Sequence, residues 1–443
     1  MLINILAFVV VIGVLIVIHE AGHFGMARLL GAPVEVFSVG FGRRLWGFER
    51  GGTDYRLSMV PLGGYVRIPG LGPDESDVVG EGAGETELLP RWKRALILLA
   101  GPVTNVLAAV FFIAFAYMLG VETPAFRDQP PVVGWIDPGS PAATVDLEPG
   151  DLIVAVDGVA VTAWNELETT ILTSAEHEVT LDVLRDGRRH QVRMVPKSVT
   201  RYGFGYSGIQ PPVEAVLVQV PHSSPARSAG LEPGDRIVAV NGEPVTQFYD
   251  LIRLISPHPG EHITLSVERG TTTFDVDVVP RDEDGEGKIG VPLIPPSKLE
   301  RLGPAAAIAA GASECRRMTV ETFRVIGRLL TLQTSIKQVS GPIGIAQISG
   351  EAARSGLESL IWFLGLISLQ LGIFNLLPIP ILDGGHLTII GFESAIRRDL
   401  SIKVKERILE VGFYALILLM VVVVFNDIVK ILPNRIYEFF FGS

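Results

Sequence analysis

The residues best suited to chemistry stand together at the end of the first apolar stretch: His19-Glu20-Ala21-Gly22-His23, an H-E-x-x-H pattern. On a helix, positions i and i+4 share a face with Cβ atoms about 5–6 Å apart, so two imidazoles can reach one Zn²⁺ ion. Glu20 stands beside them, where a carboxylate can serve as general base toward water. A catalytic zinc takes three protein ligands and keeps one open position. Five of the remaining histidines, His177, His190, His222, His258 and His262, fall in one long central segment, away from this stretch. The better source is Asn375-Leu376-Leu377-Pro378-Ile379-Pro380-Ile381-Leu382-Asp383-Gly384-Gly385-His386, in which Asp383 is the expected third ligand and His386 the alternative. Pro378 and Pro380 deny a helix its interior hydrogen bonds, and the glycines after Asp383 permit irregular backbone. At membrane depth such backbone is tolerated where it is buried in protein or lines a wet cavity.

Membrane helices must position these groups. Mean hydropathy is +0.39, and its distribution decides the class. Leu2 to Ile18 is apolar apart from Asn4, Ala95 to Gly120 runs 26 residues without a charge, Leu360 to Leu382 runs 23 and Val411 to Phe425 runs 15. A helix rising about 1.5 Å per residue needs about 20 residues to cross the hydrocarbon core. Four spans are predicted, the first continuing through its ionisable residues and the fourth using its flanks. A cleaved leader is the other reading of the first stretch, but no Lys or Arg precedes Arg28, and ionisable residues occupy the region where cleavage would fall. Ionisable groups inside a span are costly and default to function. Basic residues crowd the loop between spans one and two (Arg43, Arg44, Arg50, Arg56, Arg67, Arg91, Lys93, Arg94) and that between spans three and four (Arg397, Arg398, Lys403, Lys405, Arg407). Both loops are therefore expected in the cytoplasm, with the termini and the 121–356 segment outside. This puts Asp383 at the same depth as His19 and His23.

The 443-residue chain carries a net charge of −11, which argues against a nucleic-acid partner. Its single cysteine, Cys315, excludes an internal disulfide and a Cys-rich zinc module. Residues 37–42 and 55–68 read as short strands with glycine turns, and Gly70 to Pro90 as an acidic, solvated tether. Outside, Ser140–Leu167 aligns without gaps on Ser224–Leu251, with 16 of 28 positions identical. Pro-Gly-Asp, a Val/Ile strand and then Asp157-Gly158 or Asn241-Gly242 make a turn–strand–turn unit in each copy. From Leu299 to Ser335 the spacing fits a basic amphipathic helix, lying on a membrane or packed on a neighbour, and equally an ordinary surface helix.

The repeated unit resembles a PDZ domain of the bacterial, circularly permuted kind, a fold that binds extended peptides at a sheet edge. H-E-x-x-H on the first span with N-x-x-P-x-P-x-L-D-G-G on a later one resembles the site-2 protease family of intramembrane zinc metalloproteases, in its Gram-negative form with two PDZ domains. The resemblance covers the whole chain and includes Gly101-Pro102-Val103-Thr104-Asn105, Phe41-Gly42, Pro61-Leu62-Gly63-Gly64-Tyr65 and Ser340-Gly341-Pro342-Ile343. It implies zinc ligands His19, His23 and Asp383, Glu20 as base, and substrate backbone held by Asn375. A second asparagine expected five residues before Asn375 is replaced by Gln370, which keeps the amide and lengthens its reach. It also implies a membrane-reentrant sheet, with Gly42, Gly63, Gly64 and Tyr65 at the substrate, that presents an unwound segment as an added strand.

The expected fold class is thus a membrane α-helical protein of four transmembrane helices, with a small reentrant β-sheet and two external α+β PDZ domains. The expected divisions are 1–30 (span one), 31–94 (reentrant β region and acidic loop), 95–120 (span two), 126–199 and 213–282 (PDZ), 297–356 (amphipathic region), 357–385 (span three with L-D-G-G) and 408–430 (span four). By resemblance the substrates are single-span membrane proteins already shortened by an earlier cut, an anti-sigma factor and remnant signal peptides among them, in a bacterial inner membrane. Lipid and PDZ ligands complete the expected partners. Two rivals are a non-catalytic PDZ membrane receptor, against which the intact H-E-x-x-H speaks, and a metal transporter, whose spans would show internal repeats.

Overall fold

The computed structural model describes residues 2–71, 88–198, 203–283, 285–292, 297–331, 334 and 336–431. Most of the acidic tether lies outside them. Two compact units emerge: Met1–Val121 with Arg301–Gly327 and Val339–Ser443, and Glu122–Glu300 with Arg328–Gln338.

The first unit is a helical bundle with one β element. Four helices in it are long and apolar enough to cross a membrane: α1 (Leu2–Leu29), α2 (Arg91–Leu119), Leu357–Leu376 and Ile402–Ile431. Helix α1 runs unbroken through H-E-x-x-H, as its apolar residues and lack of proline allow. It stops where Gly31 takes a positive φ of 71° and the Ala32 N–H donates to Ala27 O, just before Pro33. The fourth helix recruits charged flanks at both ends of its apolar stretch and reaches 30 residues. The third is shorter than its uncharged stretch, because Pro378 and Pro380 end it at Leu376 and a separate helix, Asp383–Ile396, starts at the aspartate.

Within the amphipathic segment, residues 304–330 form one helix, Pro304–Leu330, that packs on neighbouring helices. Its buried stripe, Ala307, Gly311, Cys315 and Met318, packs on Ala109, Ile113, Ala114 and Tyr117 of α2 and on Leu369 and Ile373 of the third span. A Cβ on Gly311 would lie 2.8 Å from Val110 O, so glycine permits the close approach. Cys315 is buried in that seam.

Strands β1 (Val36–Arg50) and β2 (Thr53–Arg67) are longer than the sequence pattern suggested, and both fold back on themselves. Residues 36–39 lie between 54–57 on one side and 64–67 on the other, and 46–50 pair beyond 53–57. Gly40 and Gly42, with φ of 93° and 88°, supply the bend. Gly64–Arg67 is an outer row.

The second unit holds the repeats as two four-stranded sheets of one topology. Their cores superpose in sequence: Ile153, Leu167, Leu181 and Val183 in one, Ile237, Leu251, Leu265 and Val267 in the other, each 84 residues on. The Pro-Gly-Asp aspartates explain the shared motif. Asp151 accepts the Glu148 N–H and two bonds from Arg185; Asp235 accepts the Glu232 N–H and two from Arg269. Burial alone would raise each carboxyl, but the arginine and the backbone N–H outweigh it and hold both below the usual range. Asp157 and Asn241 both take φ of 51° and accept from the Thr180 and Thr264 N–H groups. Trp135 of the first repeat stacks on Tyr249 of the second, 5.6 Å between ring centroids.

Candidate metal centre

One turn of α1 brings the His19 and His23 rings to 4.8 Å between centroids, nearly perpendicular, with Nε2 atoms 3.2 Å apart. Asp383 arrives from the other end of the sequence. Its Oδ2 lies 3.2 Å from His19 Nε2 and 3.5 Å from His23 Nε2. The three ligand atoms lie within 4.8 Å of one another. Asp383 Oδ2 is buried without a hydrogen-bond partner, facing the two imidazole Nε2 atoms. Two imidazole nitrogens and one carboxylate oxygen are the donor set a zinc ion takes, with a fourth position left for water. The residues fit the metal.

Helix α2 backs the pair. A Cβ on Gly101 would stand 2.3 Å from His23 Nε2 and 2.8 Å from His19 Cε1. On the facing side, a Cβ on Gly22 would meet Ala100 O and Thr104 Oγ1, each at 2.6 Å. Glycine at both positions lets the imidazoles press against the α2 backbone. His23 Nδ1 then donates to Ile97 O at 2.8 Å. Asp383 owes its place to the break between two helices, where Ile381, a β-branched residue, takes φ of 82°.

A cavity of about 720 Å³ opens on these groups, lined by Glu20, Gly42, Gly64, Tyr65 and His386 among others. His386 borders it but stands outside the three-atom cluster. Glu20 packs beside β2: a Cβ on Gly64 would lie 3.2 Å from Glu20 Cγ. Gly63 instead takes φ of 148° under the Phe41 ring, which stacks on Tyr65. Asn375 Nδ2 is 3.4 Å from His19 Nε2. Gln370 is placed elsewhere, donating to Thr322 Oγ1 of helix Pro304–Leu330 at 3.0 Å. The sequence reading missed the charged wall of the cavity, where Glu393 accepts from Lys405 Nζ at 2.7 Å and stands 3.8 Å from Arg94, all three buried. Arg94 and Lys405 were legible only as inside-loop charges, and their partner sits on a helix whose register was not anticipated.

The sequence matches the model of peptidase family M50 from residue 7 to residue 419. The chain belongs to peptidase family M50. Its M50 relatives include the regulator of sigma E protease of Salmonella typhi, 34% identical over 96% of this chain and 98% of that one. The regulator of sigma-E protease RseP of Escherichia coli strain K12 is 35% identical over 95% and 97%. A protein of Vibrio cholerae serotype O1 described as a zinc metalloprotease is 33% identical over 97% and 99%. As an M50 member of this kind, the chain is an intramembrane zinc metalloprotease of the site-2 type, and the receptor reading is set aside. Its apolar helices make it a multi-pass membrane protein.

Proposed function

We propose that His19, His23 and Asp383 hold the zinc of this M50 peptidase, and that the site hydrolyses peptide bonds of single-span membrane proteins already trimmed outside the membrane. The observation that carries the ligand set is the convergence of three ligand atoms around a buried carboxylate oxygen that lacks a hydrogen-bond partner. Zinc bound there supplies Lewis-acid activation of water and of the scissile carbonyl. Glu20 takes the proton from the attacking water and returns it to the leaving amine. Asn375 donates to the substrate backbone next to His19. The outer row Gly64–Arg67 pairs with the unwound substrate, satisfying peptide groups that leave their own helix. That row borders Glu20, which supports its role as the presenting edge.

The basic loops support an orientation with the metal centre toward the cytoplasmic side and the PDZ pair and termini in the periplasm, in a bacterial inner membrane. The relatives' names support a place in sigma-E regulation, and the resemblance to the site-2 protease family suggests an anti-sigma factor as substrate. Purified full-length protein incubated with a truncated single-span substrate should cut it, should stop in excess chelator and should recover with added zinc. Cleavage that continues at full rate in a chelator that strips the zinc would refute metal-dependent catalysis at this site.

A further inference from the structure

Ligation through Nε2 commits both histidines to one tautomer. A neutral imidazole that gives the Nε2 lone pair to a metal carries its proton on Nδ1, and when buried that proton needs an acceptor. For His23 the acceptor is the Ile97 carbonyl oxygen. For His19 the facing group is the side-chain amide of Asn105, 3.1 Å from Nδ1 through its nitrogen. Asn105 is fully buried, and its Oδ1 has no hydrogen-bond partner. The oxygen and nitrogen of an amide exchange places by a half-turn about its terminal torsion, and the hydrogen-bond network decides between them. An NH₂ group cannot accept the Nδ1 proton; the oxygen can.

We propose that Asn105 is a positioning residue of the metal centre: its Oδ1 accepts the Nδ1–H of His19, fixes the tautomer and aims Nε2 at the metal. The inference rests on the ligand set proposed above. A lone amide buried in a membrane helix is costly unless paired, and the His19 imidazole is the partner that the structure offers. The backbone around it is held too. Ser368 Oγ of the third span donates to Asn105 O at 2.8 Å, and a Cβ on Gly372 would lie 2.9 Å from Pro102 O and 3.4 Å from Asn105 Cβ. Asn105 therefore touches α1, which carries two ligands, and the helix that leads to the third.

The test uses full-length protein in detergent, with zinc affinity measured by chelator competition and thermal midpoints of the metal-free and zinc-loaded forms. Asn105→Leu keeps the branching at Cγ and removes the acceptor; Asn105→Asp keeps an acceptor at the same place. Asn105→Leu should weaken zinc binding about 10–100-fold and shrink the zinc-dependent rise in midpoint, while the metal-free midpoint stays near wild type. Asn105→Asp should bind zinc at least as tightly as wild type. Wild-type affinity in Asn105→Leu overturns the proposal, and so does an equal loss in both variants, because the acceptor is then not what matters. Should the leucine variant not fold, weaker binding by Asn105→Asp is by itself the overturning result. Wild-type protein that binds no zinc, or Asp383→Asn that binds it as tightly as wild type, removes the ligand set itself and the Asn105 role with it.

Discussion

Asp383 reaches the two histidines from more than 350 positions away, and its carboxylate is the group whose loss should be felt most at the metal. A neutral amide is a poorer ligand than a carboxylate. Asp383→Asn should therefore lower zinc occupancy at least tenfold at limiting zinc, an order of magnitude in keeping with disturbed metal sites. His386→Ala should keep it, since His386 borders the cavity outside the three-atom cluster. Metal analysis of the two purified variants checks this, and the reverse pattern would reassign the third ligand. At this scale the sequence was informative because ligand chemistry is local: i, i+4 spacing is geometry that a helix must deliver. Gln370 shows the limit. The family resemblance implied a substrate contact for it; in the structure its amide bonds to Thr322, on a helix whose packing no spacing rule could place.

Among the elements, the apolar stretches announced four helices, but the boundaries depended on contacts. The third helix ends six residues short of its uncharged stretch because the prolines there outweigh hydropathy. The role of Ser340-Gly341-Pro342-Ile343 was hidden for the same reason. Asp427, buried in the fourth long helix, accepts the N–H groups of Gly341 and Gly344 at 3.0 and 2.9 Å and so caps helix Pro342–Ser355. A carboxylate there satisfies donors that the helix cannot pair itself and meets its positive end. Asp427→Ala should cost about 1–3 kcal/mol, the expense of leaving buried donors unpaired. Faster hydrogen exchange at Gly341 to Ile345 in the full-length protein would register it. Unchanged protection would show that the cap is dispensable. The PDZ-like repeats were visible as a motif, while the arginines that explain it, Arg185 and Arg269, fall outside the aligned 28 residues.

For the whole molecule, the chain order places the two repeat units, which resemble PDZ domains in sequence, between the second and third long apolar helices. Membrane substrates are already confined to two dimensions, so a further tether adds less than exclusion does. We propose that the pair gates: a substrate with a bulky external domain would be kept out, and one trimmed to a stub admitted. Deleting residues 132–280 should then allow cleavage of untrimmed substrate, with little loss on trimmed substrate. Recruitment through a PDZ groove forecasts the opposite, slower cutting of trimmed substrate and an intact untrimmed one. Rates for both substrates on both proteins separate the two. Orientation belongs to this scale as well. Because Cys315 is buried, thiol labelling cannot report it, and a reporter fused after Gln210 is the better probe.

The central claim is that two histidines and an aspartate hold the metal while Glu20 moves the proton. Zinc content and cleavage measured on the same preparation of Glu20→Gln test it most directly. The variant should retain about one zinc per chain, as three intact ligands require, and cut at no more than about a thousandth of the wild-type rate, as loss of a general base implies. Zinc lost in parallel with activity would make Glu20 a ligand or a structural residue and contradict the assignment.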